Sequence, residues 1–166
     1  MDIGLVYDST RGIYDIALDG ADLRADETLT SAVICSLMCD RLAAPHEVDR
    51  GADRRGWWAD AFATIASDKF GSRLWLLERE KQITATLDRC KAYCQEALHW
   101  LVDDGAADRV SVAVFAPRMG WMVARIEIGL ASDSTVYRFE WDDSAQVWRV
   151  AQEGFEGVGL GGARAL

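Results

Sequence analysis

The sequence predicts an α+β fold: an N-terminal hairpin and helices packed on a C-terminal antiparallel sheet of three or four strands. Three observations carry this. Residues 29–42, LTSAVICSLMCDRL, are apolar on nearly every face, as suits a helix buried on most sides. Leu87, Cys90, Cys94, Ala97 and Leu101 then form one apolar stripe at helical spacing. Beyond Gly105 the period becomes two and holds through three successive segments.

Each element follows from local chemistry. Tyr14, Ile16 and Leu18 alternate with Asp15, Ala17 and Asp19, which predicts a half-buried strand over residues 12–18. Asp19-Gly20 supplies a turn, and Asp22-Leu23 returns as a short second strand. The first helix is expected to start near Thr28 and to stop before Pro45, with polar loop over residues 43–55. A short helix over residues 72–80 follows Gly71. Thr84 is the expected N-cap of the longest helix and Gly105 its C-cap, with Arg89, Gln95, Glu96 and Asp103 facing away from the stripe. In the sheet, Val110, Val112 and Val114 share a face, as do Met122, Ala124, Ile126 and Ile128, and Tyr137, Phe139 and Trp141. Arg125, Glu127, Arg138 and Glu140 lie opposite. Turns fall at Gly120, at residues 132–134 and at residues 142–144, and residues 147–150 add a fourth strand. Residues 1–153 form one expected domain, and the glycines at 154, 157, 159, 161 and 162 mark residues 154–166 as a flexible tail.

Length and composition bound the function. A chain of 166 residues, half apolar and 27% charged, suits one soluble domain with one core. A net charge of −9 argues against nucleic acid, whose phosphates need a basic face. No apolar run approaches a membrane span, and the start MDIGLVYDST lacks the basic and apolar segments of a signal peptide. The chain is therefore expected to stay in the cytoplasm until it joins something. Seven tryptophans exceed what a core of this size needs, which favours an interaction protein.

Chemical constellations are weak by comparison. Cys35 and Cys39 stand four apart on one predicted helix, and Cys90 and Cys94 four apart on another. They could form disulfides or a four-thiolate zinc site, but their apolar stripes and the reducing compartment favour small buried hydrophobes. No metal or cofactor is expected. His46 and His99 have no acid-and-nucleophile arrangement beside them. Glu78 with Glu80, or Asp103 with Asp104, would serve a rival reading as a small cytosolic carbohydrate-active enzyme, yet helix termini explain both pairs more simply. Asp103 and Asp104 oppose the helix dipole, and a pair with nearby Arg109 or a basic partner surface would relieve them. No catalytic residue is expected.

The segment from Asp53 to Lys81 holds the binding candidates. Arg54, Arg55, Trp57 and Trp58 combine the residue types most enriched among binding hot spots, and Arg73 and Trp75 recur in Gly-Ser-Arg-Leu-Trp-Leu-Leu-Glu-Arg. Neighbours on a regular element diverge, so one indole of the Trp-Trp pair is expected inside and the other at a partner.

The strings DRRGWWAD and GSRLWLLERE resemble the Mu-like phage family of gene-product-forty-six proteins, components of the contractile-tail baseplate. The resemblance extends to residues 15–41 and to EALHWLVDDGAADRVSV at residues 96–112, and spans roughly residues 1–141. It implies a structural wedge protein without catalysis, present in several copies in a virion tail assembled in the host cytoplasm. Its implied partners are other wedge proteins and tail sheath or tube proteins. The element order also resembles the wider group of sheath-nucleating wedge proteins, whose second helix enters the sheet through Glu-Pro-Arg. Here the matching place is Ala107-Asp108-Arg109, which keeps the arginine and adds Arg109 to the implied interface.

Overall fold

The computed structural model describes residues 2–8, 10–26, 28–64, 69–78, 80, 83–130, 133–142 and 147–150. Six short strands open the chain and pair as three antiparallel ribbons. These are β1 (Asp2–Ile3) with β6 (Ala25–Asp26), β2 (Leu5–Asp8) with β3 (Ile13–Ile16), and β4 (Leu18–Asp19) with β5 (Asp22–Leu23). The ribbons meet at a closed ring of backbone hydrogen bonds. Gly4 N–H donates to the Arg24 carbonyl at 2.7 Å, Arg24 N–H to the Ala17 carbonyl at 2.9 Å, and Ala17 N–H to the Gly4 carbonyl at 2.8 Å.

This hub replaces the single strand expected over residues 12–18. The chain passes from one ribbon to the next at the buried Ala17, which interrupts the alternation. Leu5 and Tyr14 lean on the core, but Ile16 and Leu18, expected on the buried face with Tyr14, are 50% and 69% exposed. The Asp19-Gly20 turn stands as expected, with Leu18 opposite Leu23 and Gly20 at φ +63°.

Near the β2–β3 turn, Arg11 pairs with Asp8 at 2.6 Å and also with Asp15. The Arg11 side chain, then the N–H groups of Thr10 and Arg11, hold the Asp8 carboxyl down to about 2 from its ordinary 3.8. A carboxyl depressed in the folded state stabilises above its unfolded value, and that contribution fades as pH falls through the folded one. The Asp8 carboxyl resonance is expected to titrate near 2, and to return toward 3.8 in Arg11→Ala. A wild-type midpoint at the ordinary value would contradict this pairing.

Helix α1 (Thr30–Met38) begins two residues after the expected Thr28. Asp26 ties it to the ribbons, its carboxylate accepting Ser31 N–H at 2.7 Å and Thr28 N–H at 2.8 Å. The helix ends at Met38 because Cys39 turns extended, at ψ 143°, and Asp40 pairs in parallel with Ser72. Residues 43–55 carry no regular element, as expected. A 3-10 turn at Leu74–Leu77 stands where a helix over residues 72–80 was expected.

Helices α2 (Thr84–Leu98) and α3 (Trp100–Asp103) run on through His99, which is itself helical, and form the long helix. Thr84 is its first helical residue and not its cap; Ile83 holds the cap position, with no side-chain hydrogen bond. Gly105 at φ +70° follows its end. Cys90, Cys94, Ala97 and Leu101 are buried as one stripe, with Leu87 packed beside them.

Strands β7 (Arg109–Arg118), β8 (Trp121–Leu130), β9 (Asp133–Asp142) and β10 (Val147–Val150) form an antiparallel meander in the order β10-β9-β8-β7. Register aligns the inner face in rows: Val112 with Ile126 and Tyr137, and Met122 with Trp141 and Trp148. These rows, the stripe of α2 and Val33 and Leu37 of α1 make the core. Residues 131–132 and 143–146, which complete two of the expected turns, and the tail at 154–166 lie outside the described residues. No helix among the described residues is long and apolar enough to cross a membrane.

All four cysteines are free thiols, Cys90 and Cys94 buried and the other two half-buried. The hydrogen bond with Cys94, then burial, push the Cys90 thiol well up, and burial raises Cys35 and Cys39. Protonated thiols are poor metal ligands. Replacing Cys35 and Cys94 together by alanine is expected to cost about 1–3 kcal/mol in denaturant unfolding, as small cavities do. A loss above about 5 kcal/mol, or zinc in the native mass spectrum, would contradict that reading.

Candidate partner-binding site

The segment from Asp53 to Glu78 is built on two close backbone approaches. At the first, Arg54 is zipped to Ala43: Ala43 N–H donates to the Arg54 carbonyl at 3.0 Å, and Arg54 Nε to the Ala43 carbonyl at 2.6 Å. Arg55 then takes φ +51°, the one non-glycine residue with positive φ among those described, and Gly56 follows at φ +99°. A Cβ on Gly56 would stand 2.7 Å from Leu42 Cβ, so only glycine lets the chain pass. At the second approach, Ser72 N–H donates to the Cys39 carbonyl and Arg41 N–H to the Ser72 carbonyl, both at 2.8 Å. Ser72 Oγ also donates to the Leu37 carbonyl at 2.6 Å.

Two arginines brace this frame. Arg55 reaches Asp40 at 3.0 Å and Glu78 at 3.4 Å, with its guanidinium 4.5 Å over the Trp75 ring. Burial opposes the Arg55 charge, but the two carboxylates outweigh it and raise its pKa. Trp75 is fixed in turn, its indole N–H donating to the Arg41 carbonyl at 3.0 Å. Arg73 reaches Glu47 at 2.5 Å and Glu96 at 2.9 Å, and lies 4.6 Å over Tyr93. Of the sequence candidates, Arg55 and Trp75 are in direct contact, while Arg54 and Arg73 brace the frame through separate partners. Arg109 stands apart on β7, paired with Glu127 at 3.1 Å.

The same frame holds aromatic rings outward. Trp57 is extended and Trp58 opens a 3-10 turn, Trp58–Phe62. They are 48% and 74% exposed, so the expectation of one inward and one outward indole fails. That expectation assumed a regular element anchored on the core. Instead each indole leans on another surface ring: Trp57 on Phe70 at 5.2 Å and Trp58 on Phe62 at 6.2 Å, with the two indoles 6.1 Å apart. Asp60 closes the loop beneath, accepting Phe70 N–H at 3.2 Å, while Lys69 donates to the Asp60 carbonyl at 2.8 Å. Phe62 and Phe70 belong to the cluster and were missed from sequence, although both lie within 13 residues of the tandem indoles. Their signal was aromatic density along the segment.

Three of the four acids weighed for catalysis are engaged elsewhere. Glu78 holds Arg55, Glu80 holds Arg89, and Asp103 pairs with His99 at 2.7 Å and not with Arg109. Among the described residues no group of three or more His, Cys, Asp and Glu side chains could hold a metal ion. A cleft of about 450 Å³ opens between the ribbons and the body, lined by Ile13, Tyr14, Met38 and Trp148 among others, with Asp40 and Glu78 in its wall.

Comparison with known proteins gives this arrangement its context. The sequence profile of the family described as "Phage protein GP46" matches residues 29–135, which include both close approaches and the aromatic cluster. The "Baseplate protein gp46" of Escherichia phage Mu is 38% identical over 142 residues, covering 84% of this chain and 94% of that protein. The "Mu-like prophage FluMu protein gp46" of Haemophilus influenzae is 36% identical over 145 residues, covering 84% of this chain and 97% of its own length. With a profile matching well over half its length and relatives alike nearly end to end, this chain belongs to the phage protein GP46 family.

Proposed function

We propose that this chain is a non-enzymatic structural subunit of the baseplate of a contractile phage tail or tail-derived particle. It acts as a wedge component that binds neighbouring baseplate proteins and helps to start sheath assembly. It is made in the host cytoplasm and ends in the virion tail, in several copies, beside wedge proteins and sheath or tube proteins. Supporting the baseplate reading is the likeness to the phage Mu protein of that name.

The observation that carries the binding mechanism is the aromatic cluster held outward by a braced frame. Trp57, Trp58, Phe62 and Phe70 all face solvent, an arrangement that costs free energy unless a partner covers it. Trp57 and Trp58 supply the contact, while Arg54, Arg55, Arg73 and Trp75 fix its shape before binding, which lowers the entropy cost of docking. The second contact is the outer edge of β7, where Arg109 sits. Among the described residues β7 pairs only with β8, so this edge can accept a strand from a neighbour.

The test is genetic. A phage or prophage lacking this chain is expected to yield no sheathed tails, and the wild-type chain supplied in trans restores them. Normal sheathed tails without the chain would overturn the proposal.

A further inference from the structure

A second surface, remote in sequence from the aromatic cluster, has a different chemistry. The three ribbons bury little beyond the hub at Gly4 and Ala17 and the anchors Leu5 and Tyr14. Ile3, Val6, Ile13, Ile16, Leu18 and Leu23 remain exposed. Leu18 and Leu23 face each other across β4–β5, at 69% and 48% exposure, so they form one apolar strip and not scattered singles. Two-stranded ribbons are marginal in water, and strands of two to four residues gain much from being covered.

Charge says what kind of surface covers them. Residues 2–26 carry six aspartates against two arginines, a balance of −4 within a chain of −9. One of those arginines, Arg11, is already shared between Asp8 and Asp15. The aliphatic character continues into the body, where Ile13 lines the cleft. A second copy would bring like charge to like charge, and nucleic acid or an anionic membrane would be repelled.

We propose that the three-ribbon arm is a docking surface for a neighbouring protein presenting lysine or arginine side chains among aliphatic ones. Like the proposed function, this rests on the chain being an assembly subunit, but it concerns a separate contact. The carboxylates steer the partner into register and the aliphatic strip closes on it.

The test places a photo-crosslinking phenylalanine analogue at Leu18 of the full-length chain in assembling particles, with the joined peptide mapped by mass spectrometry. The expected product joins Leu18 to a different tail protein, on a segment with excess lysine or arginine. With that purified protein as the probe, affinity is expected to fall at least about 10-fold between 50 and 300 mM NaCl. Leu18→Ser combined with Leu23→Ser should weaken it by a similar factor at unchanged melting temperature. A cross-link to a second copy, to residues 151–166 of the same chain or to an acidic segment overturns the proposal, as does the absence of any cross-link. A salt-independent affinity also overturns it. If particles still incorporate the chain through Trp58 while Leu18 joins nothing, only this inference fails.

Discussion

Gly71→Ala is expected to lower stability by about 3–5 kcal/mol, the largest loss of any glycine-to-alanine change among the described residues. Gly71 sits at φ +85°, where an L side chain costs roughly 1–2 kcal/mol. The greater part is steric. A Cβ there would stand 2.4 Å from the Cys39 carbonyl oxygen and 3.1 Å from Arg41 N, and a backbone cannot rotate out of the way as a side chain can. The strand-like pairing of Asp40 with Ser72 must open, losing the two 2.8 Å hydrogen bonds that bind the braced segment to the end of α1. For a domain of this size the melting temperature should fall by about 10 °C. Gly51 is the control, with the same φ of +85° but nothing within 4 Å of its would-be Cβ. Gly51→Ala should cost only about 1–2 kcal/mol. If the two variants melt together, the close approach at Cys39 does not hold the segment.

Trp58→Ala has the opposite signature. The ring is 74% exposed, so its loss should change stability by no more than about 0.5 kcal/mol. Binding to the neighbouring baseplate protein should weaken by about 2 kcal/mol or more, roughly 30-fold, as truncated aromatic hot spots do. Trp57→Ala should weaken binding too, and also cost about 1 kcal/mol of stability, because Trp57 packs tilted against Phe70 at 5.2 Å. Thermal melts together with titration of the partner separate the two effects. A Trp58→Ala protein that melts early, or binds normally, is not missing an anchor.

What could be foreseen from sequence follows from the range of each interaction. The meander and the long helix are legible because their inner residues repeat at two and at 3.6 over seven or more positions, as in Met122 to Ile128 and Cys90 to Leu101. The ribbons are not, because strands of two to four residues are too short to show a period and their hub is made of backbone groups. The Asp19-Gly20 turn has a local signature and stands where that signature predicts it. At the candidate site, the tandem indoles and arginines stood out by composition. Their arrangement did not, because Arg55 is held by Asp40 and Glu78, 15 and 23 residues away, and neither carries a mark of that role. Both indoles face water because Trp57 is extended and Trp58 opens a 3-10 turn on a surface loop, where neighbours need not take opposite faces.

The central claim is that the braced aromatic cluster is where this chain meets its neighbour. It is tested most directly by electron cryomicroscopy of the assembled tail at side-chain resolution. Trp58, 74% exposed in the isolated chain, should be buried against another baseplate protein together with Trp57, while the Arg55 contacts to Asp40 and Glu78 persist unchanged. A tail in which Trp57 and Trp58 remain open to solvent would contradict the account.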